Sequence, residues 1–333
     1  MSPGADPRSV VARIGELEAA ARTALSRRVV DYVAGGAGEE IALGEAVDAW
    51  RRYRFAPHAL RDVTGVDAGV DLFGRHFPSP VGVAPVGYAR LLHPDGESAL
   101  AAGAGDHLFV LSARSDAAVA DVAAARGTAP WWYQVYVTAD RAVGEGEAAR
   151  AVAAGATALV LTADTPYVAA KARQGRLRTV APGADQAPAT LADLRRLTGH
   201  GLPVLVKGVL RGDDARRFLD AGAAGLVVSN HGGRQLDRTV ATADALPEVV
   251  AAAGRAPVLV DGGLRSGHDV LVALALGAAA VLTGRPPAWA LAAGGGPGVD
   301  ALLTAWSAEV AHVLGLAGCR TPADVTPDLV RRG

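Results

Sequence analysis

Eight short apolar runs rich in β-branched residues recur along the chain. Each gives way to glycine or polar residues and then to an amphipathic stretch. They read PVGVAPV (80–86), LFVLSA (108–113), WWYQVYV (131–137), ALVLTAD (158–164), PVLVKGV (203–209), GLVVSN (225–230), PVLVDGG (257–263) and AVLTGR (280–285). Near-continuous apolar runs suit strands covered on both faces. The intervening TADRAVGEGEAARAVAAG and RGDDARRFLDAG have helical patterning and end at glycine, a residue suited to a helix C-terminus.

This alternation predicts an α/β fold, a (β/α)8 TIM barrel with its strands parallel and its helices outside. A doubly wound open sheet is the competing arrangement, weakened because no G-x-G-x-x-G follows the first run. The longest interval separates the fourth and fifth runs. Its excess, TPYVAAKARQGRLRTVAPGADQAPAT, predicts a surface loop over the barrel mouth. In residues 1–79, VARIGELEAAARTALSRRVVDYVAGG is helical in pattern and is read as an N-terminal helical cap. Residues 80–320 then hold the barrel and a C-terminal helix, within a single domain spanning 1–333. A separate N-terminal module is the alternative, disfavoured by the lack of a flexible linker.

Composition narrows the function classes. With 333 residues, 50% of them hydrophobic, one large core is within reach, and a net charge of −1 gives no electrostatic basis for nucleic-acid binding. The single cysteine, Cys319, excludes an intramolecular disulfide and a multi-cysteine metal site, and reads as a small core residue. MSPGADPRSV lacks a signal peptide's apolar core, and no apolar run is long and unbroken enough for a convincing membrane span. A soluble cytoplasmic protein without a membrane partner is expected.

In such barrels chemistry gathers at the C-terminal strand ends. Those ends carry Pro85-Val86-Gly87, Ser112, Gln134 and Tyr136, Thr162 and Asp164, Lys207, His231 and Arg234, Asp261-Gly262-Gly263, and Gly284-Arg285. A polar or glycine residue at nearly every tip is costly in a packed core and points to a site. DGGLRSGHD and TGRP, after the last two strands, place glycines with Arg265 and Arg285 where barrels commonly bind phosphate. Turn glycines with surface arginines would explain either loop alone, but explain both less well.

The motifs SNHGGRQLD, LVKG, DGGLRSGHDV, ALGA and GRP, in order over residues 15–320, resemble the FMN-dependent 2-hydroxy acid oxidases and dehydrogenases. Glycolate oxidase, lactate oxidase and mandelate dehydrogenase belong to that group, and APVGYARLLHPDGE is most similar to its bacterial hydroxymandelate oxidase members. The resemblance implies FMN at the barrel mouth, held by Pro85, Val86, Gly87, Ser112, Gln134, Thr162, Lys207, Ser229, Asp261, Gly262, Gly263, Arg265, Gly284 and Arg285. It implies a 2-hydroxy acid substrate, oxygen or another electron acceptor, and a homo-oligomer, either tetramer or octamer.

Oxidising a 2-hydroxy acid needs a base, an electron acceptor and a carboxylate clamp. His231 is the candidate base, because imidazole titrates near neutrality. Asp164 is placed to orient it, and Arg234 to grip the carboxylate in two-pronged fashion. By resemblance, Lys207 stands beside the flavin, Tyr136 meets the substrate hydroxyl and Tyr32 reaches its carboxylate from the cap. Trp131 and Trp132 read as barrel packing.

Two positions depart from the family. Where relatives carry Gly-Arg-Arg after strand four, this chain has Ala170 and Lys171, and the loop is shorter. Lysine keeps the charge but loses the guanidinium fork. In LSARSDA, Arg114 stands where relatives place an apolar or small residue. It could supply the missing guanidinium, bind a second anionic group, or point to solvent. The leading function is oxidation of an (S)-2-hydroxy acid with an aryl, mandelate-like side chain. Competing readings are flavin-dependent oxidation of a larger or doubly anionic biosynthetic intermediate, a non-redox phosphate-binding barrel, and a non-catalytic scaffold.

Overall fold

The computed structural model describes residues 9–167, 169–171, 173 and 186–333. The chain begins with three helices, α1 (Val10–Ala24), α2 (Arg27–Ala34) and α3 (Ile41–Arg51). The single helical stretch expected over the first two is broken, because Leu25 and Ser26 are both extended. Serine before a helix favours a fresh start, and the break lets α2 carry Tyr32 toward the barrel.

The cap is not wholly helical, which corrects the sequence reading. Strand β1 (Tyr53–Phe55) follows, then β2 (Val70–Leu72) and β3 (Arg75–Phe77), which form a hairpin. Its two turn residues, Phe73 and Gly74, both have positive φ, as a two-residue hairpin turn requires. Leu72 and Phe77 pack inside the barrel, and Phe73 meets the Trp132 ring at 5.8 Å. The hairpin therefore plugs the end where the strands begin. Three-residue strands are too short to show alternation, so the pattern could not reveal them.

All eight predicted barrel strands form: β4 (Val81–Val83), β5 (Val110–Ser112), β6 (Trp132–Val135), β7 (Ala158–Thr162), β8 (Val204–Val209), β9 (Gly225–Val228), β10 (Val258–Asp261) and β11 (Ala280–Thr283). They pair in parallel in the order β4-β11-β10-β9-β8-β7-β6-β5. A parallel bridge from Val83 to Phe109 joins the two ends, so the sheet is a nearly closed barrel and not an open doubly wound sheet. Helices α4 (Gly96–Gly103), α5 (Val119–Arg126), α6 (Arg141–Ala153), α7 (Leu191–Thr198), α8 (Gly212–Asp220), α9 (Thr242–Ala253), α10 (Gly267–Ala275) and α11 (Arg285–Ala317) follow the strands.

Side chains alternate along each strand. Val81, Leu111, Tyr133 and Leu161 face the helices, while Leu108, Val110, Trp132, Val160, Leu205 and Leu259 fill the interior. Trp131 and Trp132 are both buried, one in each layer. Helix α11 breaks at Gly295 (φ 61°, ψ −154°) and packs against α1, α4 and α10. It is long and apolar enough to cross a membrane, yet those contacts give its apolar surface a place in the core. The chain closes with β12 (Val330–Arg332), beyond the expected limit of the barrel, paired antiparallel to β1 of the cap.

Candidate active site

The two-residue period that fills the barrel with apolar side chains delivers polar ones to its mouth. Two residues beyond Val110, Trp132, Val160, Leu205, Val227 and Leu259 stand Ser112, Gln134, Thr162, Lys207, Ser229 and Asp261. All six are buried, and polar contacts link them in two groups. Ser112 Oγ donates to Gln134 Oε1 at 3.1 Å, and Gln134 Nε2 donates to Thr162 Oγ1 at 3.0 Å. Lys207 Nζ donates to Ser229 Oγ at 2.7 Å and pairs with Asp261 Oδ2 at 3.1 Å. Burial pushes the Lys207 ammonium toward neutrality, but Asp261 and then Asp164 outweigh it, so its pKa is raised and its charge is kept.

Next comes SNHGGRQLD, the turn after β9. His231, Gly232 and Gly233 all have positive φ (58°, 61° and 72°). Left-handed backbone costs a histidine about 1–2 kcal/mol, so the surroundings must impose it. Ser229 Oγ accepts from His231 N at 3.0 Å, and Asn230 Oδ1 accepts from Gly233 N at 3.2 Å. Side chains at Gly232 or Gly233 would run into Arg285 Nη1 (3.0 Å) or the Leu43 backbone (2.9 Å). The imidazole is thereby aimed: Nδ1 lies 3.0 Å from Asp164 Oδ1, and Nε2 lies 3.5 Å from Tyr136 Oη. Burial favours a neutral Asp164, but the imidazole of His231 and the Lys207 ammonium prevail and hold its pKa below the usual value.

Around this pair stand three cations. The guanidinium of Arg234 lies 5.0 Å from the centre of the Tyr32 ring, and its Nη1 donates to the Tyr32 and Gly35 carbonyls at 2.7 and 2.9 Å. Lys171 lines the same cavity; burial and then Arg234 push its pKa down to about 8. Arg114 lies over the Tyr136 ring at 5.3 Å. Burial raises the hydroxyls of both Tyr32 and Tyr136, which stay protonated as donors. Residues 174–185 of the expected mouth loop lie outside the described residues. The segment before them is tied to the cap by Gly38 N donating to Ala170 O at 3.1 Å and by an Arg173–Glu40 ion pair.

One cavity of about 950 Å³ connects these groups, at the upper end of the roughly 300–1,000 Å³ usual for ligand sites. Pro85, Val86, Gly87, Ser112, Gln134, Thr162, Lys207, Asp261, Gly262, Gly263, Arg265, Gly284 and Arg285 all line it, as do Tyr32, Tyr136, Lys171, His231, Arg234 and Arg114. Ser229 is not among the lining residues; its hydroxyl bonds to Lys207 Nζ and to the His231 amide. Asp164 likewise stands behind His231 and outside the lining. Arg285 is partly committed, donating to the Val33, Gly35 and Gly232 carbonyls at 3.0 Å each. Burial, then Arg234 and Arg265, push its pKa down to about 9. Clustered buried cations beside the positive-φ pair Gly262–Gly263 (89° and 87°) make an end suited to a phosphate, and Asp261 Oδ1 is buried without a partner. These features fit an elongated, phosphate-bearing, hydrogen-bonding ligand such as FMN.

Several supporting residues escaped the sequence reading. Gly208 (φ 102°) leaves room for Asp164, whose Cβ would lie 2.4 Å from a side chain there. Asp237 accepts from the amides of Glu39, Ile41 and Ala42 at 2.8, 3.3 and 2.9 Å, capping the start of α3. Trp50 Nε1 donates to Gly262 O at 2.8 Å. The LVKG and SNHGGRQLD motifs contained Gly208 and Asp237, but their partners lie far away in sequence.

The fold and site define a flavin-dependent oxidoreductase acting on CH–OH groups. The FMN-dependent dehydrogenase family pattern matches residues 21–194 and 181–332, and the chain belongs to that family. It is 42% identical to the 4-hydroxymandelate oxidase of Amycolatopsis orientalis, covering 92% of this chain and 95% of that one. It is 39% identical to an L-lactate oxidase of Nostoc sp., covering 93% and 95%. Among solved structures, a mandelate oxidase variant with (S)-mandelic acid superposes with a TM-score of 0.92 at 42% identity, over 96% of this chain and 98% of that one.

Proposed function

We propose that this protein oxidises an (S)-2-hydroxy acid with a mandelate-like side chain to the 2-oxo acid, passing the electrons to oxygen. The observation that carries the reading is the His231–Tyr136 pair, 3.5 Å apart and backed by Asp164, beside the cations Arg234 and Lys171. Two electrons and two protons must leave the CH–OH group. When bound, FMN would supply the acceptor for both electrons and one of the protons, leaving one proton for a base on the protein. His231 Nε2 takes a substrate proton, and the Asp164 carboxylate stabilises the imidazolium that forms. Tyr136 Oη donates to the substrate oxygen. Arg234, through the nitrogens that its carbonyl contacts leave over, holds the carboxylate with Lys171 and Tyr32. Lys207, fixed by Asp261 and Ser229, offers positive charge to the electron-rich reduced cofactor. The mandelate-like side chain and the oxygen acceptor rest on similarity to the oxidases above, and a homo-oligomer rests on the family resemblance.

The test is anaerobic mixing of the yellow holoprotein with (S)-mandelate, 4-hydroxymandelate, lactate and glycolate. Flavin bleaching by the aryl acids, reversed by air and lost in His231→Gln, is the expected result. A full panel that leaves the flavin oxidised overturns the proposal.

A further inference from the structure

Arg114 is an ion without a counter-ion in a site whose carboxylate clamp stands elsewhere. Its Nη2 is buried and without a hydrogen-bond acceptor, and among the described residues no carboxylate pairs with it. Leaving such a donor unsatisfied costs about 1–3 kcal/mol or more, so an uncommitted guanidinium facing a cavity calls for an anion. Its seat is built. Arg114 N donates to Ser112 Oγ at 3.1 Å, and Arg114 O accepts from Tyr88 N at 2.9 Å. Gly87 makes the space: a side chain there would stand 2.8 Å from Arg114 Cβ and 3.2 Å from its carbonyl.

The topology separates this cation from the clamp. Arg114 follows β5 and Arg234 follows β9, four places apart in a ring of eight strands, so the two cations enter the cavity from different strand ends although each also acts on the other's tyrosine. Each guanidinium covers its own tyrosine, Arg114 over Tyr136 and Arg234 over Tyr32. Lys171, whose surroundings include Arg234, strengthens the clamp side. One small carboxylate beside His231 leaves the Arg114 side unmatched.

We propose that the substrate is a 2-hydroxy diacid: the carboxylate next to the reacting carbon meets Arg234 and Lys171, and a second carboxylate ending the side chain meets Arg114. This rests on the 2-hydroxy acid reading above and narrows it. Arg114 is then a specificity-determining residue, since a buried guanidinium left unpaired discriminates against a neutral side chain.

The experiment compares matched acids on the holoenzyme by anaerobic flavin reduction: 4-carboxymandelate against 4-methylmandelate, and 2-hydroxyglutarate against 2-hydroxyhexanoate. In the unmodified protein the diacid of at least one pair is expected to have the higher kcat/KM. Arg114→Leu should lower kcat/KM for that diacid by about tenfold to a hundredfold more than for its neutral partner, mainly through KM, so that the preference is lost. Arg114→Lys should retain part of the preference. If neither diacid is preferred by the unmodified protein, or Arg114→Leu slows both members of a pair equally, the proposal is overturned; the latter result would make Arg114 a support for Tyr136. Bleaching by monoacids without a diacid preference sinks this inference alone, whereas no bleaching by any 2-hydroxy acid removes the parent reading and this one with it.

Discussion

Replacing Asp164 by asparagine tests the base most directly, because it removes a charge and almost no volume. The carboxylate lies 3.0 Å from His231 Nδ1. At an effective dielectric constant of about 20, two full charges at that separation attract by about 5 kcal/mol. A neutral imidazole does not enjoy this attraction, but an imidazolium does. The difference therefore falls on the transition state. With the proton half to fully transferred, about 3–5 kcal/mol is at stake, or roughly 10²- to 10⁴-fold in rate. Lys207 provides a partial offset, since its ammonium also interacts with Asp164. Stopped-flow measurement of flavin reduction by (S)-mandelate, at saturating and limiting substrate, gives the number. A loss below about threefold, under ~0.7 kcal/mol, would mean that no imidazolium forms against this carboxylate. His231 would then not be the base. The carboxyl also has a stability signature of defined sign. Its folded-state pKa lies below the ordinary value, so its ionised form stabilises the fold above the usual carboxylate range. That contribution is lost as pH falls through the lowered value, and Asp164→Asn should flatten this acid limb in pH-dependent unfolding.

Lys171, with its pKa pushed down to about 8, should make kcat/KM fall as pH rises through that value, because the neutral amine no longer attracts the substrate carboxylate. Lys171→Arg should move this limb upward, and an identical alkaline limb in both proteins would assign it to another group. Gly208→Ala places a side chain at φ 102° and 2.4 Å from Asp164 Cβ. The backbone strain alone should destabilise the holoprotein by about 1–3 kcal/mol in urea unfolding, with slower flavin reduction as Asp164 is displaced. An unchanged midpoint and unchanged turnover would show that the close approach does not matter.

The barrel was legible because parallel strands buried on both faces must be apolar almost throughout, which leaves eight unmistakable runs. Its polar rim was legible for a related reason. A buried strand that ends in Lys207 or Asp261 has no solvent to satisfy those groups, so they must meet one another or a ligand. The hairpin of Phe73 and Phe77 gave no such sign. Its strands are three residues each, with Arg75 and His76 exposed, and its burial exists only because a barrel stands above it.

What sequence spacing could not express is that the turn carrying the base is also the joint between cap and barrel. Gly233 O accepts from Ala37 N at 2.8 Å, and Asp237 caps α3. Arg234 donates to the Tyr32 and Gly35 carbonyls, and Arg285 reaches Gly35 together with Gly232. The cap therefore contributes Tyr32 to the site through bonds made by the same residues that form it. A truncation at Arg234 removes a carboxylate partner and, at once, leaves two cap carbonyls without this donor. Loss of affinity in an Arg234 variant thus cannot be assigned to substrate contact alone. The separation comes from Asp237→Ala, which loosens the same joint without touching the cavity. If the joint positions Tyr32 and His231, that variant must lower turnover along with Tm, while a pure stability element would lower Tm only.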